Sequence, residues 1–317
     1  MAAIETSSLE KHYQVGFWKK RRKDALKPLT LEVREGEIFG YLGPNGAGKT
    51  TTLRLLMGLV YPSAGSARIL GCELFDKKMK RQIGFLPEQP YFYDHLTARE
   101  LLDYYAQLSG VDAKSWTKSV ESALARVGMA ESANIQLRKF SKGMLQRVGI
   151  AQAIVHDPKL ILLDEPMSGL DPVGRREVRD LIQELNEDGK TIFFSTHILS
   201  DAETLCDRVA ILNRGELRGV GVVADLVREV TGNIEISWLG KSAQSVIDSL
   251  GGNSHGTGET FRAVLPQDKQ DAAIDGIRRA GARLVSITPV RATLEDYFLA
   301  KLGESDAIAP HDAEVKQ

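Results

Sequence analysis

The chain of 317 residues is long enough for one large hydrophobic core and a second, smaller one. Its 41 basic and 42 acidic side chains leave a net charge of -1, so nothing in the overall charge favours nucleic acid or an anionic membrane. Only two cysteines occur, Cys72 and Cys206, which excludes a disulfide framework and fits a reducing compartment. The N-terminus lacks the apolar segment of a signal peptide, and no apolar run reaches the roughly 18–20 residues that span a bilayer, so we expect a soluble polypeptide.

Residues 1–35 are predicted to form short strands, interrupted by the basic run Lys19-Lys20-Arg21-Arg22-Lys23. Such a run is usually a solvated loop, and contact with phospholipid head groups is the alternative. From Gly36 to about Val222, extended segments alternate with helical segments. This alternation predicts a largely parallel sheet covered by helices, an α/β fold.

The segment Gly43-Pro44-Asn45-Gly46-Ala47-Gly48-Lys49-Thr50 follows an extended run and precedes a helical run that begins at Thr51. It fits the phosphate-binding pattern G-x-x-x-x-G-K-[ST] in the expected strand–loop–helix context. Glycines allow backbone N–H groups to face phosphate oxygens at the positive end of the next helix. Lys49 would contact the β- and γ-phosphates and the Thr50 hydroxyl would hold Mg²⁺. Taken alone, the pattern predicts nucleotide binding, with a chance match in a glycine-rich turn as the alternative.

A helical insert is predicted at about residues 90–140, between two parts of the sheet. Thr97 is placed to cap a helix that runs to Leu108, and Glu100 follows at the capping-box position. Residues 111–135 are predicted to continue as helix. The exposed aromatic segment 90–97 leads into this insert, where it could contact a partner or pack inside the insert.

The apolar run Leu160-Ile161-Leu162-Leu163 ends in two acids, Asp164 and Glu165. A buried parallel strand delivers such acids to its carboxyl end, where ligands bind in α/β sheets. Asp164 would hold Mg²⁺ opposite Thr50, and Glu165 would orient and deprotonate an attacking water. A strand that ends in a solvated acidic turn is the alternative, and the phosphate-binding loop disfavours it.

Three further segments surround these acids in sequence: Phe140-Ser141-Lys142-Gly143-Met144 before them, Ser168-Gly169-Leu170-Asp171 after them, and the strand 191–196 that ends at His197. Ser141 with a glycine at a helix start makes an anion-binding geometry, although an ordinary capped helix looks the same locally. A single histidine after a strand is commonly structural. The remaining histidines show no metal-binding spacing.

In this order and spacing, the motifs resemble those of ATP-binding-cassette (ABC) ATPases over roughly residues 4–230. Residues 43–50 match the Walker A motif, 160–165 Walker B, 140–144 the signature, 168–171 the D-loop, and His197 the switch histidine. The resemblance implies a P-loop NTPase fold of the ABC ATPase type, with a parallel-sheet core, an N-terminal antiparallel β subdomain and a helical subdomain. It implies ATP and Mg²⁺ as ligands, with Lys49, Glu165 and His197 as catalytic residues and Thr50 and Asp164 at the metal. The implied nucleotide contacts are Tyr13, Gly43, Pro44, Asn45, Gly46, Ala47, Gly48, Lys49, Thr50, Thr51, Glu88, Ser141, Gly143 and Asp171.

Some positions depart from the family pattern. Lys142 and Met144 replace a glycine and a glutamine of the signature, whereas Ser141 and Gly143 are retained. The Q-loop glutamine aligns with Glu88, and Gln89 lies one position later. Phe17 is an alternative to Tyr13 as the aromatic residue that stacks on adenine.

After about Thr231 the pattern changes to β-α-β-α-β, which predicts a small α+β accessory module over residues 231–302. Residues 303–317 are polar and are predicted to be a disordered tail. The sequences Phe140-Ser141-Lys142-Gly143-Met144 and 293–299 are similar to prokaryotic exporters in which the ATPase pairs with a separate membrane protein.

The resemblance implies that the signature of a second copy, or of a homologous subunit, completes each ATP site. A transmembrane permease would be the other partner, placing the chain in the cytoplasm, peripheral on the inner face of the membrane. The alternative is an ABC ATPase acting on ribosomes or DNA. The chain has one cassette, whereas ribosome-associated members usually have two, and the stretch between Lys49 and Ser141 is too short for the long coiled coil of DNA-associated members. The balanced charge also argues against nucleic-acid binding, so no nucleic acid is expected. A binding module without catalysis is a third alternative, disfavoured because the catalytic residues are all present.

Overall fold

The computed structural model describes residues 1–16, 21–229, 232–290 and 293–306. Within these residues the chain divides into two compact units, Met1–Val223 and Ala224–Gln317. The first unit contains two sheets and most of the helices, and the second contains one sheet. The predicted α/β class is confirmed.

A six-stranded sheet forms the centre of the first unit, in the order β10-β9-β3-β8-β7-β6. Its strands are β3 (Ile38–Leu42), β6 (Ile83–Leu86), β7 (Leu160–Asp164), β8 (Thr191–Thr196), β9 (Arg208–Asn213) and β10 (Glu216–Val222). All neighbouring pairs are parallel except the edge hairpin of β9 and β10. β3 and β7 are buried throughout, as expected for strands covered on both faces. Their carboxyl ends meet at one edge, and the two predicted motifs lie there.

A four-stranded antiparallel sheet, in the order β2-β1-β4-β5, packs beside this centre. Its strands are β1 (Ala2–Val15), β2 (Arg21–Arg34), β4 (Ala64–Ile69) and β5 (Cys72–Glu73). The prediction of short strands in residues 1–35 was wrong, since β1 and β2 each span 14 residues. Register shifts along β1, with a left-handed residue at Ser8, break the alternation that identifies a long strand from sequence.

Helices of the first unit lie between the strands. They are α1 (Lys49–Leu56), α2 (Lys77–Lys80), α3 (Ala98–Leu108), α4 (Trp116–Arg126), α5 (Lys142–Ile154), α6 (Pro172–Glu187) and α7 (Leu199–Leu205), and α8 (Val223–Glu229) follows at the boundary. The predicted capping box of α3 is confirmed, because the Thr97 N–H donates to Glu100 Oε2 and the Glu100 N–H donates to Thr97 Oγ1. The helix predicted over 111–135 is shorter, since α4 ends at Arg126.

Apolar side chains of the central sheet alternate between two cores. Leu160 and Leu162 of β7 face the core shared with the antiparallel sheet, where Phe39 and Phe193 stack with ring centroids 5.7 Å apart. Ile161 and Leu163 face the core shared with α3–α6. The central sheet is therefore fixed from both faces, and the side chains at its carboxyl edge have a rigid base.

The second unit has a four-stranded antiparallel sheet in the order β12-β13-β11-β14. Its elements are β11 (Asn233–Leu239), α9 (Gln244–Ser249), β12 (His255–Thr257), β13 (Thr260–Pro266), α10 (Gln270–Arg279), β14 (Arg283–Pro289) and α11 (Leu294–Asp306). The order β-α-β-β-α-β with this strand arrangement is a ferredoxin-like unit. The sequence pattern missed β12, which has only three residues. It also placed the start of the tail at Gly303, whereas α11 continues to Asp306; residues 307–317 lie outside the described residues.

Among the helices that the structure describes, none is long and apolar enough to cross a membrane.

Candidate functional site

The phosphate-binding loop connects the buried end of β3 to α1, and its glycines have separate roles. Gly48, the residue before α1, has φ +110°, and a Cβ there would lie 2.3 Å from the Ala25 carbonyl oxygen. A Cβ on Gly43 would lie 2.3 Å from the carbonyl oxygen of Leu212. Gly46 has φ +80° and open space around it. Close packing excludes a side chain at Gly43 and Gly48, and the left-handed backbone favours glycine at Gly46 and Gly48. The side of the loop that faces open space is left free for a ligand.

Three predicted catalytic side chains meet beside the loop. The Lys49 ammonium donates to the Gly43 carbonyl at 2.7 Å and lies 3.1 Å from Glu165 Oε1. This last pair has ion-pair distance without hydrogen-bond geometry, so the buried Oε1 accepts no hydrogen bond from the described residues. The other oxygen, Glu165 Oε2, lies 2.8 Å from His197 Nδ1. Glu165 is therefore held between a lysine and a histidine, with one oxygen available to a further donor.

The backbone of Glu165 is also constrained. Its φ of 50° is left-handed, an uncommon conformation for a glutamate that is often found at functional sites. The Glu165 N–H donates to both the carbonyl and the hydroxyl oxygen of Ser195, each at 3.1 Å. Hydrogen bonds from Glu165, the residue after β7, to the neighbouring strand β8 thus fix the turn that points the carboxylate at Lys49.

Asp164 lies at the last position of β7 and is 1% exposed. Burial raises the pKa of this carboxyl group, and hydrogen bonds with the Ser195 and Thr50 side chains oppose the shift. The Ser195 hydroxyl donates to Asp164 Oδ1 at 2.5 Å. These bonds help to keep the group ionised where a cation would need a carboxylate.

The donor set around Asp164 fits Mg²⁺. No group of three or more His, Cys, Asp or Glu side chains in the described part of the chain could hold a metal by itself. The side chains of Thr50 and Asp164 are hydrogen-bonded to each other next to the loop and would supply two oxygen ligands. Mg²⁺ is commonly bound by one or two protein oxygens together with water and substrate phosphates, so this small set is the expected one.

Two neighbouring cavities border this site. One of about 470 Å³ lies over the loop, and one of about 490 Å³ contains Asp164 and Gln89; Thr50 and Glu88 line both. The predicted site residues that line the first cavity are Tyr13, Pro44, Asn45, Gly46, Gly48, Lys49, Thr50, Thr51, Glu88 and Glu165. The alternative aromatic residue, Phe17, lies outside the described residues. Glu88, and not Gln89, thus reaches both the nucleotide side and the cation side.

The signature and D-loop residues lie elsewhere. Ser141 is exposed and caps α5, its hydroxyl accepting from the Met144 N–H at 3.3 Å, while Asp171 caps α6 by accepting from the Gly174 N–H at 3.0 Å. Neither they nor Gly143 are among the described residues that line the two cavities. The structure therefore brings together Walker A, Walker B, Glu88 and His197, and places Ser141, Gly143 and Asp171 outside the lining of the two cavities.

Two residues near the site were not predicted from the sequence. Ser195 bridges Asp164 and Glu165, as described above. Gln146 of α5 is 3% exposed and donates to the Pro166 carbonyl at 2.8 Å, which connects the signature helix to the residue after Glu165. The signal for Ser195 was a polar residue inside the strand run 191–196, opposite Asp164 in the parallel register.

Comparisons with known proteins agree with these motifs. The ABC transporter family profile matches residues 26–168. An ABC transporter ATP-binding protein of Synechocystis sp. is 44% identical over 313 residues, covering 95% of this chain and 85% of the relative. The bacitracin transport ATP-binding protein BcrA of Bacillus licheniformis is 43% identical and covers 68% of each chain. The linearmycin resistance ATP-binding protein LnrL of Bacillus subtilis is 35% identical, covering 67% of this chain and 69% of the relative.

Solved structures show the same fold. The ATP-binding subunit of an ABC transporter is 32% identical with a TM-score of 0.63, over 72% of this chain and 92% of the other. A dimeric ATP-binding cassette in a post-hydrolysis state, bound to ADP and Pi, is 28% identical with a TM-score of 0.63, over 69% of this chain and 98% of the other. The chain therefore belongs to the ABC transporter ATP-binding proteins and is an ATP-binding ATPase subunit of that family.

Proposed function

We propose that the chain hydrolyses Mg²⁺-ATP in a site shared by two copies, or by one copy and a homologous subunit. The observation that carries this proposal is that the signature and D-loop residues do not line the cavity over the loop. Lys49, Thr50 and Glu165 line the cavity over the loop, whereas Ser141, Gly143 and Asp171 do not. A second chain whose signature helix approaches the loop would supply the missing contacts. The dimeric structure of the relative bound to ADP and Pi supports such an arrangement.

Within such a site the side chains would divide the work as follows. Lys49 and the loop N–H groups neutralise and orient the phosphates. Mg²⁺ bound at Thr50 and Asp164 would supply charge neutralisation. Glu165 accepts a proton from the attacking water through its available oxygen, and His197 holds the carboxylate from the other side at 2.8 Å. Phosphoryl transfer depends mainly on positioning and electrostatics, so this set is sufficient.

We further propose that hydrolysis drives transport, with export as the direction, through a separate transmembrane permease at the inner face of the membrane. Tyr91 is 94% exposed and Tyr93 is 58% exposed, while Phe92 packs into the core of the first unit. Aromatic side chains held outward by a packed neighbour are suited to contact a partner. The names of the two Bacillus relatives, a bacitracin transport and a linearmycin resistance ATP-binding protein, support the export direction.

The membrane partner can be tested by affinity purification of the tagged chain from detergent-solubilised membranes of its host. We expect it to co-purify with a hydrophobic membrane protein in a fixed ratio, and we expect Tyr91→Ser with Tyr93→Ser to weaken that association. Val173→Ser, which changes another exposed apolar side chain (65% exposed), is the matched control. Recovery only with ribosomes or DNA would contradict the transporter proposal and favour the alternative of a nucleic-acid-associated ATPase.

Ser195→Ala tests the carboxylate at Asp164. Without the Ser195 hydroxyl, burial is opposed by one hydrogen bond fewer, so the pKa of Asp164 rises further. As the pH falls, Asp164 of the variant then becomes protonated at a higher pH than in the wild type. The acid limb of the pH–rate profile should therefore move to higher pH. Losing a hydrogen bond to a buried charged group should also cost about 1–3 kcal/mol of unfolding free energy. An acid limb identical to that of the wild type would contradict this role.

A further inference from the structure

A partly buried ion pair joins the helix that follows the D-loop to the helix that follows His197. The Arg175 Nη2 atom of α6 donates to Asp201 Oδ2 of α7 at 2.6 Å. The Asp201 side chain is 4% exposed and that of Arg175 is 29% exposed. Arg175 Nε is buried and has no hydrogen-bond partner among the described residues. Among the residues that the structure describes, the guanidinium has one ionic contact, which crosses from α6 to α7.

Each end of the pair is close to the catalytic centre along the chain. Arg175 lies in the first turn of α6, where its N–H donates to the Asp171 carbonyl at 2.9 Å. The turn before this helix starts at Glu165, whose carbonyl accepts from the Ser168 N–H at 3.1 Å. Asp201 lies in the first turn of α7, directly after the segment that carries His197. The pair therefore closes a loop of contacts that runs from Glu165 through α6 and α7 to His197.

At the start of α7, the Ile198 N–H donates to Thr196 Oγ1 at 3.0 Å, a contact within the same segment. The helix has seven residues, and Ile198 at its N-cap makes no side-chain capping bond. Such a short helix depends on tertiary contacts for its position. An acid in the first turn commonly caps its own helix, but here the carboxylate is bonded to Arg175 on another helix.

We propose that Arg175 is a positioning residue for ATP hydrolysis, which acts through Asp201 to hold His197 against Glu165. Because Arg175 lies next to the D-loop, a shift of that loop on contact with a second chain would reach His197 through this pair. The inference rests on the proposed composite site, in which Glu165 and His197 carry the chemistry. It adds a link between the subunit contact and the catalytic carboxylate.

The test compares Arg175→Met with Arg176→Met, measuring kcat, KM for ATP and thermal unfolding. Arg176 is the next residue of α6 and its partner Asp180 is 3.9 Å away, with side chains 78% and 61% exposed. We expect Arg175→Met to lower kcat by about 10- to 100-fold, the size of effect that misplaced catalytic groups produce. KM for ATP should stay within about threefold, since the loop is unchanged, and the control should stay within about twofold in kcat.

A double variant separates positioning from simple stability, because Arg175→Met alone leaves a buried carboxylate without its partner. Arg175→Met combined with Asp201→Asn removes both charges and should fold. We expect it to keep the low kcat, and we expect Arg175→Lys to recover part of the activity. Wild-type kcat in the double variant would overturn the inference, because the pair would then serve only to satisfy a buried charge. Normal turnover in Glu165→Gln would instead overturn the proposed function itself, so the two failures can be distinguished.

Discussion

Replacing Glu165 by Gln is expected to lower ATP turnover by at least about 100-fold, the contribution of a positioned general base. The amide keeps the shape of the side chain and can remain beside His197, but it cannot accept the proton of the attacking water. Lys49 and Thr50 are unchanged in this variant, so ATP should still bind. We therefore expect an ATP-bound dimer to accumulate, measured by light scattering after size-exclusion chromatography with Mg²⁺-ATP.

A matched control for this variant is Glu187→Gln, which removes the charge of an exposed glutamate at the end of α6. Its turnover and its oligomeric state should equal those of the wild type, because surface substitutions of this kind have small effects. Normal hydrolysis in Glu165→Gln would show that another group activates the water. In that case the geometry of Lys49, Glu165 and His197 would need a different explanation.

Replacing Lys49 by Met is expected to weaken ATP binding by about 10- to 100-fold, since a charge-assisted hydrogen bond to phosphate contributes about 1.5–3 kcal/mol. The Lys49 side chain is 6% exposed and lies between the Gly43 carbonyl and Glu165, so its charge is fixed beside the loop. Titration with a fluorescent ATP analogue measures the loss. Lys118→Met, at an exposed position of α4, is the control and should bind as the wild type does. Unchanged affinity in Lys49→Met would contradict the assigned phosphate contact.

The parts of the site that are contiguous in sequence were predictable. The loop 43–50 carries its own chemistry, because glycines at fixed spacing set the backbone and one helix supplies the dipole. The caps at Thr97 and Ser141 depend on residues three positions apart; the first was predicted, and the second was the local alternative to an anion-binding helix start. Local rules of this kind need no knowledge of the rest of the fold.

Contacts between distant strands and helices were not predictable in the same way. Ser195 faces Asp164 only because β7 and β8 pair in one parallel register, with Asp164 opposite Ser195. The pair of Arg175 and Asp201 depends on the packing of α6 against α7. Lys142, which replaces a signature glycine, extends over Gly169 of the D-loop, where a Cβ would lie 2.0 Å from its Nζ. Such contacts arise from tertiary packing, which periodicity and propensity do not encode.

The central claim is that each ATP site takes Lys49 from one chain and Ser141 from another. It is tested most directly by mixing two inactive variants, Lys49→Met and Ser141→Arg, and measuring ATP turnover. A mixed dimer would keep one intact site, built from the loop of the Ser141→Arg chain and the signature of the Lys49→Met chain. With equal amounts of the two variants and random pairing, about half of the dimers are mixed, and each mixed dimer has one intact site of two. Activity should therefore return to about a quarter of the wild-type level. Turnover that stays at the background of the separate variants would contradict the shared site.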